Sequence, residues 1–324
     1  MGITINKPAK ITISKNSNVV FSNNDGPLIL KFNSDPLSIS PDLDTIQGWN
    51  TAFNLPQNGV PFSRIDYDSI NYIVKLYGGS NIFLSTTYFN VNYFYGGNNL
   101  IIEIDDQAGC IKSVDDDVFY GCVNLIRANL PAAVSFKGSC FRECEYLTDI
   151  NFPLLTTAGA GCFTLVRSLT SMYLPSLIYA GDDCFGSCQS LEHMNLPSIE
   201  VLGSYCFADC FSLTEVDLPS LLVAEAYCFA NCIAVTYINL PSLTRCGDYC
   251  FYYCYGVTSL NLQNCVNLGQ STDNDYVFHT WFQAPSITSA RFNAIHDYGG
   301  GTYEGDIQYL IDTWGLSTSV ITWV

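Results

Sequence analysis

The chain has 324 residues, 48% of them hydrophobic and only 13% charged, with a formal charge of −17. So acidic a chain lacks the cationic face that displaces counterions from a phosphate backbone, which excludes nucleic acid as its partner. No stretch is apolar for long enough to span a bilayer, and the start, MGITINKPAK, shows no apolar leader core.

Lys7, Lys10 and Lys15 all precede the first acid, Asp25, so residues 1–24 form a basic arm ahead of an acidic body. Such an arm is either a solvated tail or a dock for an acidic neighbour. The remainder of residues 1–90 shows no period. Short alternating pieces such as Ile3-Thr4-Ile5 and Ile11-Thr12-Ile13, an Asn-Asp-Gly at 24–26 and several prolines predict a small β-rich attachment domain.

Residues 91–292 are governed by one aromatic that returns every 22 residues: Phe119, Phe141, Phe163, Phe185, Phe207, Phe229 and Phe251. Most copies place Cys one residue before the Phe, Cys three after, Leu or Val six after, and Leu-Pro eleven and twelve after. A strict period of this length predicts a solenoid, because one repeat cannot bury its own apolar face and must stack on its neighbours. Phe94 and Trp281 mark worn copies at gaps of 25 and 30 residues. About nine coils at the strand spacing give a stack roughly 40 Å long. Within each coil, a segment such as Leu213 to Leu218 alternates like a half-buried strand, with Val216 and Leu218 inward and Glu215 and Asp217 outward. Pro219 ends it, since proline cannot donate to a ladder. The half of the coil around Gly203 to Cys210 is predicted to turn the chain and return its Cys-Phe pair to the core.

Twelve of the fifteen cysteines fall in the two columns flanking the Phe. One small apolar residue per coil is what a tight inner layer selects, so the columns read first as buried free thiols. Disulfides between coils and zinc are the alternatives. Zinc sites do not normally recur at every coil, and no His accompanies the spacing. Residues 293–324 form a predicted cap. Ile307, Leu310, Ile311 and Trp314 have helical spacing, and Ser319 to Val324 reads as a last short strand.

The frame C-F-x-x-C-x-x-L-T-x-I-x-L-P, seen from Cys228 to Pro241 as CFANCIAVTYINLP, resembles leucine-rich repeats of the BspA-like type. The resemblance covers roughly residues 91–292 and implies a mainly β leucine-rich-repeat solenoid with a parallel β-sheet face; the N-terminal β-rich segment and the C-terminal helix and strand cap flank it. It further implies adhesion or protein binding, with no catalytic residues. Such repeats occur in surface proteins of gut and oral bacteria and of parasitic protists, and in proteins of phages that infect gut bacteria.

The residues themselves offer little for catalysis. The three histidines, His193, His279 and His296, have no evident nucleophile poised beside them. The glycines at 299–301 lack the Gly-Lys-Ser/Thr of a phosphate loop. Three acidic groups, Asp105-Asp106, Asp115-Asp116-Asp117 and Asp273-x-Asp275, lack the full oxygen set and Gly turn of a calcium loop. No cofactor and no metal are therefore expected. What remains is the outward rows of the strands. Their Asn-rich positions read as a hydrogen-bonding ladder. Tyr173, His193, Glu215, Asp217 and Tyr237 break that monotony near the centre, where repeat proteins use their sheet face for binding. A second column, Tyr205, Tyr227 and Tyr249, reads as an aromatic stack sealing an edge or as another contact patch. The expected partner is a protein or glycan on a host surface, or neighbouring virion subunits, and a homo-oligomer fits the same rows. The arm and the resemblance favour a phage virion component, a fibre or decoration protein. The competing expectation is a bacterial cell-surface adhesin.

Overall fold

The computed structural model describes residues 27–32, 63–68, 73–77, 82–84, 101–268, 288–292, 294, 297–299, 302–303, 307, 311–312 and 316–324. The arm lysines Lys7, Lys10 and Lys15, the worn-copy aromatics Phe94 and Trp281, His279, His296, Asp273 and Asp275 lie outside them.

Each coil opens with a short front strand whose alternation does what the sequence predicts. In Glu215–Asp217, Val216 is fully buried while Glu215 and Asp217 face out, and the chain turns after Pro219. Equivalent strands follow from Ile101–Asp106 to Ser289–Phe292. The turn then leads into a second, back strand of two residues, such as Thr157–Ala158. These stack into a nine-stranded sheet running from Ile82–Leu84 to Asn267–Leu268, parallel throughout. The alternation in the sequence predicts only one sheet, so the back sheet is a second one that the pattern does not mark. Close approach of the coils beside it uses glycine: a Cβ on Gly203 would stand 2.5 Å from the Asp182 nitrogen of the preceding coil.

After the back strand the chain reverses around the Phe. Successive rings stack at 5.0 to 5.6 Å, all of them buried. From Phe119 to Phe229, each Phe N–H donates to the Cys carbonyl of the next coil, as from Phe207 to Cys228 at 2.7 Å. The residues two before and two after the Phe take positive φ, so the ring sits between two left-handed corners. Glycine meets that demand at Gly161 and Gly121, but Tyr205, Tyr227 and Tyr249 adopt φ of 58°, 57° and 54°. A bulky residue there costs about 1–2 kcal/mol. Stacking of these rings at 4.7 and 4.8 Å, worth about 0.5–1.5 kcal/mol per pair, offsets much of it. The tyrosine column is thus a stack.

All fifteen cysteines are free and buried. The second column has a reason beyond size. The thiols of Cys144, Cys188, Cys210, Cys232 and Cys254 each donate to the Phe carbonyl of the coil before, at 3.1 to 3.3 Å.

Strands from either side of residue 90 share sheets. Leu28–Phe32 pairs antiparallel with Ile101–Asp106 and with Ile73–Tyr77, which pairs in turn with Arg64–Asp68. Asp106 pins the first coil: its carboxylate accepts from the N–H groups of Cys110 and Ile111 at 2.9 and 2.8 Å. At the far end Ile321–Trp323 adds in parallel to Ser289–Phe292. The expected last strand over 319–324 is shorter than that, because Thr318–Val320 forms a 3₁₀ turn on the Ser317 cap. Ile307, Ile311 and Asp312 have helical backbone, while Leu310 and Trp314 lie outside the described residues. Among those described, no helix is long and apolar enough to cross a membrane.

Candidate functional site

The front sheet is interrupted twice. Its ladder runs from the N-terminal strands to Asp149–Asn151, resumes for Ser171–Tyr173 and His193–Asn195, and resumes again from Glu215–Asp217 onward. The back sheet and the Phe stack pass both interruptions unbroken.

The inward side chains change along the front where it parts. The inward row reads Ala128, Ile150, Met172, Met194, Val216, Ile238, and the leucine column carries Phe152 where Leu130 and Leu174 stand in its neighbours. The Phe152 ring packs edge-on against Phe136 at 4.9 Å and stacks on Phe141 at 5.6 Å. The first parting follows its coil. The two methionine strands, Ser171–Tyr173 and His193–Asn195, still pair with each other, Met172 opposite Met194, so the front edges part on either side of them. Accordingly Ile150 and Met194 are only partly buried, whereas Ala128, Val216 and Ile238 are fully so.

Between these edges lies a concavity of about 630 Å³. Its floor is Ile150, Met172 and Met194, and its walls include Asp149, Ser171, Tyr173, His193, Asn195, Glu215 and Asp217. Four of the five sequence-chosen residues, Tyr173, His193, Glu215 and Asp217, are brought together here. Tyr237 is not among the lining residues; it stands one coil further on, in register with Glu215. Asp149, Ser171 and Asn195 belong to the same outward rows, so their place was legible. The methionine floor was not, since alternation marks Met172 and Met194 simply as inward.

The asparagine row behaves as a ladder up to the concavity and beyond it. Asn151 donates to Asn129 at 2.6 Å and Asn129 to Asp105 at 2.5 Å; past the gap, Asn261 donates to Asn239 at 2.7 Å and Asn239 to Asp217 at 2.9 Å. Each run starts on an aspartate, which only accepts. Tyr173 interrupts the row, and among the described residues the Asn195 side chain makes no hydrogen bond. The tyrosine itself is 60% exposed.

Charge at the site is uneven. Asp149 is ion-paired with Arg127 at 3.1 Å. Among the described residues, Glu215 and Asp217 have no cationic partner. Ser171, His193 and Glu215 follow one another along one row, the order of a Ser-His-carboxylate relay. No hydrogen bond joins them among the described residues, so the relay is not assembled. No group of His, Cys, Asp and Glu among the described residues is arranged to hold a metal.

A family model described as BspA type leucine-rich repeat region matches residues 80–192 and 179–279, in six copies. No curated protein matches the sequence. Among solved structures, a leucine-rich repeat protein of T. pallidum is 28% identical, with a TM-score of 0.43 over 46% of this chain and 72% of that one. One from Bacteroides ovatus is 20% identical, with a TM-score of 0.38 over 56% of this chain and 59% of its own. A leucine-rich cell surface protein from Faecalibacterium prausnitzii is 15% identical, with a TM-score of 0.27 over 62% and 79%. The match to the family model spans more than half of the 324 residues, and the chain belongs to the BspA-type leucine-rich repeat family.

Proposed function

We propose that the chain is a non-enzymatic recognition module that binds its partner in the front concavity. The observation that carries this is convergence: residues chosen for breaking the outward rows meet where the sheet parts and its apolar floor is exposed. An exposed tyrosine beside a partly apolar floor is the composition of an interface hot spot. Tyr173→Ala is expected to weaken binding to ligands selected from an array of purified proteins and glycans by at least ~10-fold, the scale of a hot-spot truncation. Its melting temperature should match the wild type. Tyr146→Ala, equally exposed but outside the lining residues, serves as the control. A loss no larger than that control's rules the concavity out.

We further propose that the module sits on the outside of a phage particle, held by the basic arm. Support comes from Lys7, Lys10 and Lys15 lying ahead of the first acid in an otherwise acidic chain. Removing residues 1–24 is expected to abolish incorporation into particles and leave the circular dichroism of the repeats unchanged. Undiminished incorporation would sink this placement, and the chain appearing on the bacterial envelope instead would favour the cell-surface alternative.

A further inference from the structure

The front row contains its own precedent for a bound guanidinium. Arg127 lies between carboxylates of the two flanking coils, with Nη1 3.2 Å from Glu103 Oε1 and Nε 3.1 Å from Asp149 Oδ2. The same row continues through Ser171 and His193 to Glu215. Among the described residues, no arginine pairs with Glu215 there. Glu215 and Asp217 are two residues apart on one strand and so project from the same face. One oxygen of Asp217 accepts from Asn239, and Glu215 makes no ion pair within the described residues. Across the concavity stands the exposed Tyr173 ring.

Resting on the recognition reading above, we propose that the concavity receives an arginine side chain of a partner protein. Its guanidinium would fork onto Glu215 and Asp217, and its plane would lie against Tyr173. A planar, weakly hydrated fork fits two carboxylates and an aromatic face better than a compact ammonium does. The free charge in the site is negative, so anionic ligands are disfavoured. A neutral sugar would leave the two carboxylates without a counter-charge.

The test passes the full chain over an immobilised Gly-Gly-Arg-Gly-Gly-Arg-Gly peptide and its citrulline counterpart, which keeps the shape and removes the charge. At about 50 mM salt, where surface electrostatics are least screened, the arginine peptide is expected to bind at least ~10-fold more tightly, and the gap should narrow at about 300 mM. The double exchange Glu215→Gln with Asp217→Asn should erase the preference. It preserves an acceptor for Asn239, so circular dichroism should be unchanged. Glu200→Gln, an exposed acid outside the concavity, should leave the preference intact. Equal binding of the two peptides, or an equal loss from Glu200→Gln, overturns the proposal. Array ligands that depend on Tyr173 but ignore the double exchange, neutral glycans among them, overturn the arginine assignment and leave the recognition face standing. Independence from Tyr173 as well overturns both.

Discussion

Between about pH 9 and pH 11 the chain is expected to lose its fold, with the transition reversing on return to neutral pH under reductant. A thiol free in an unfolded chain ionises near pH 8.5. Burial pushes the Cys122 and Cys188 thiols up to about 12. Burial, reinforced by the neighbouring column thiol, raises Cys144 and Cys210 well above their ordinary value. The sign follows from which state holds the proton. Above pH 8.5 the unfolded chain releases thiol protons that the folded chain keeps, so stability is intact below that pH and falls as pH rises toward the folded values. Each such thiol contributes a slope of about 1.4 kcal/mol per pH unit. Several acting together exceed a total stability of about 5–15 kcal/mol within one or two units. Deprotonation also removes the S–H donors to the Phe carbonyls. Far-UV circular dichroism against pH reads the transition, and a thiol reagent at neutral pH should find few of the fifteen groups until denaturant is added. A native spectrum held at pH 11 contradicts the expectation.

Phe207→Ala is expected to cost about 3–5 kcal/mol. The ring is fully buried and stacked between Phe185 at 5.0 Å and Phe229 at 5.6 Å. Its N–H bond to Cys228 ties adjacent coils and survives the truncation, so the corner cannot collapse freely onto the cavity. In a stack where each repeat touches only its neighbours, the cost falls on two interfaces at once. Chemical denaturation of the full chain measures it. A loss below about 1 kcal/mol would mean that the stack relaxes around the gap. Phe207→Leu, which fills part of the volume, should fall between.

The period was legible because seven copies average away local noise. Phe207, Cys206 and Val216 could be assigned inward, and Glu215 and Asp217 outward, from spacing alone. The back sheet could not, since a strand of two residues such as Thr157–Ala158 is too short to show alternation. The left-handed corners were equally silent: glycine announces them only at Gly121 and Gly161, while Leu165, Glu143 and four tyrosines occupy the same positions. The candidate site was half legible. Its polar walls lie in the rows that alternation marks, but the partings on either side of Met172 and Met194 leave no trace in that pattern. A pattern of apolar and polar letters treats those side chains as interchangeable with leucine and valine. The pairing of Leu28–Phe32 with the first coil had no period to betray it.

The contrast between an unbroken back and a twice-interrupted front gives this stack a preferred direction of flexure. Bending that spreads the front meets no strand ladder at either gap, only flanking bonds such as Ser176 Oγ to Pro153 O at 2.8 Å and Thr214 N to Glu192 O at 3.3 Å, whereas spreading the rear would tear a ladder of nine strands. The rear therefore acts as a spine and the two gaps as creases. Curvature and groove width become a single coordinate, so a ligand wedged between Tyr173 and Asp217 would also set how far the molecule arches.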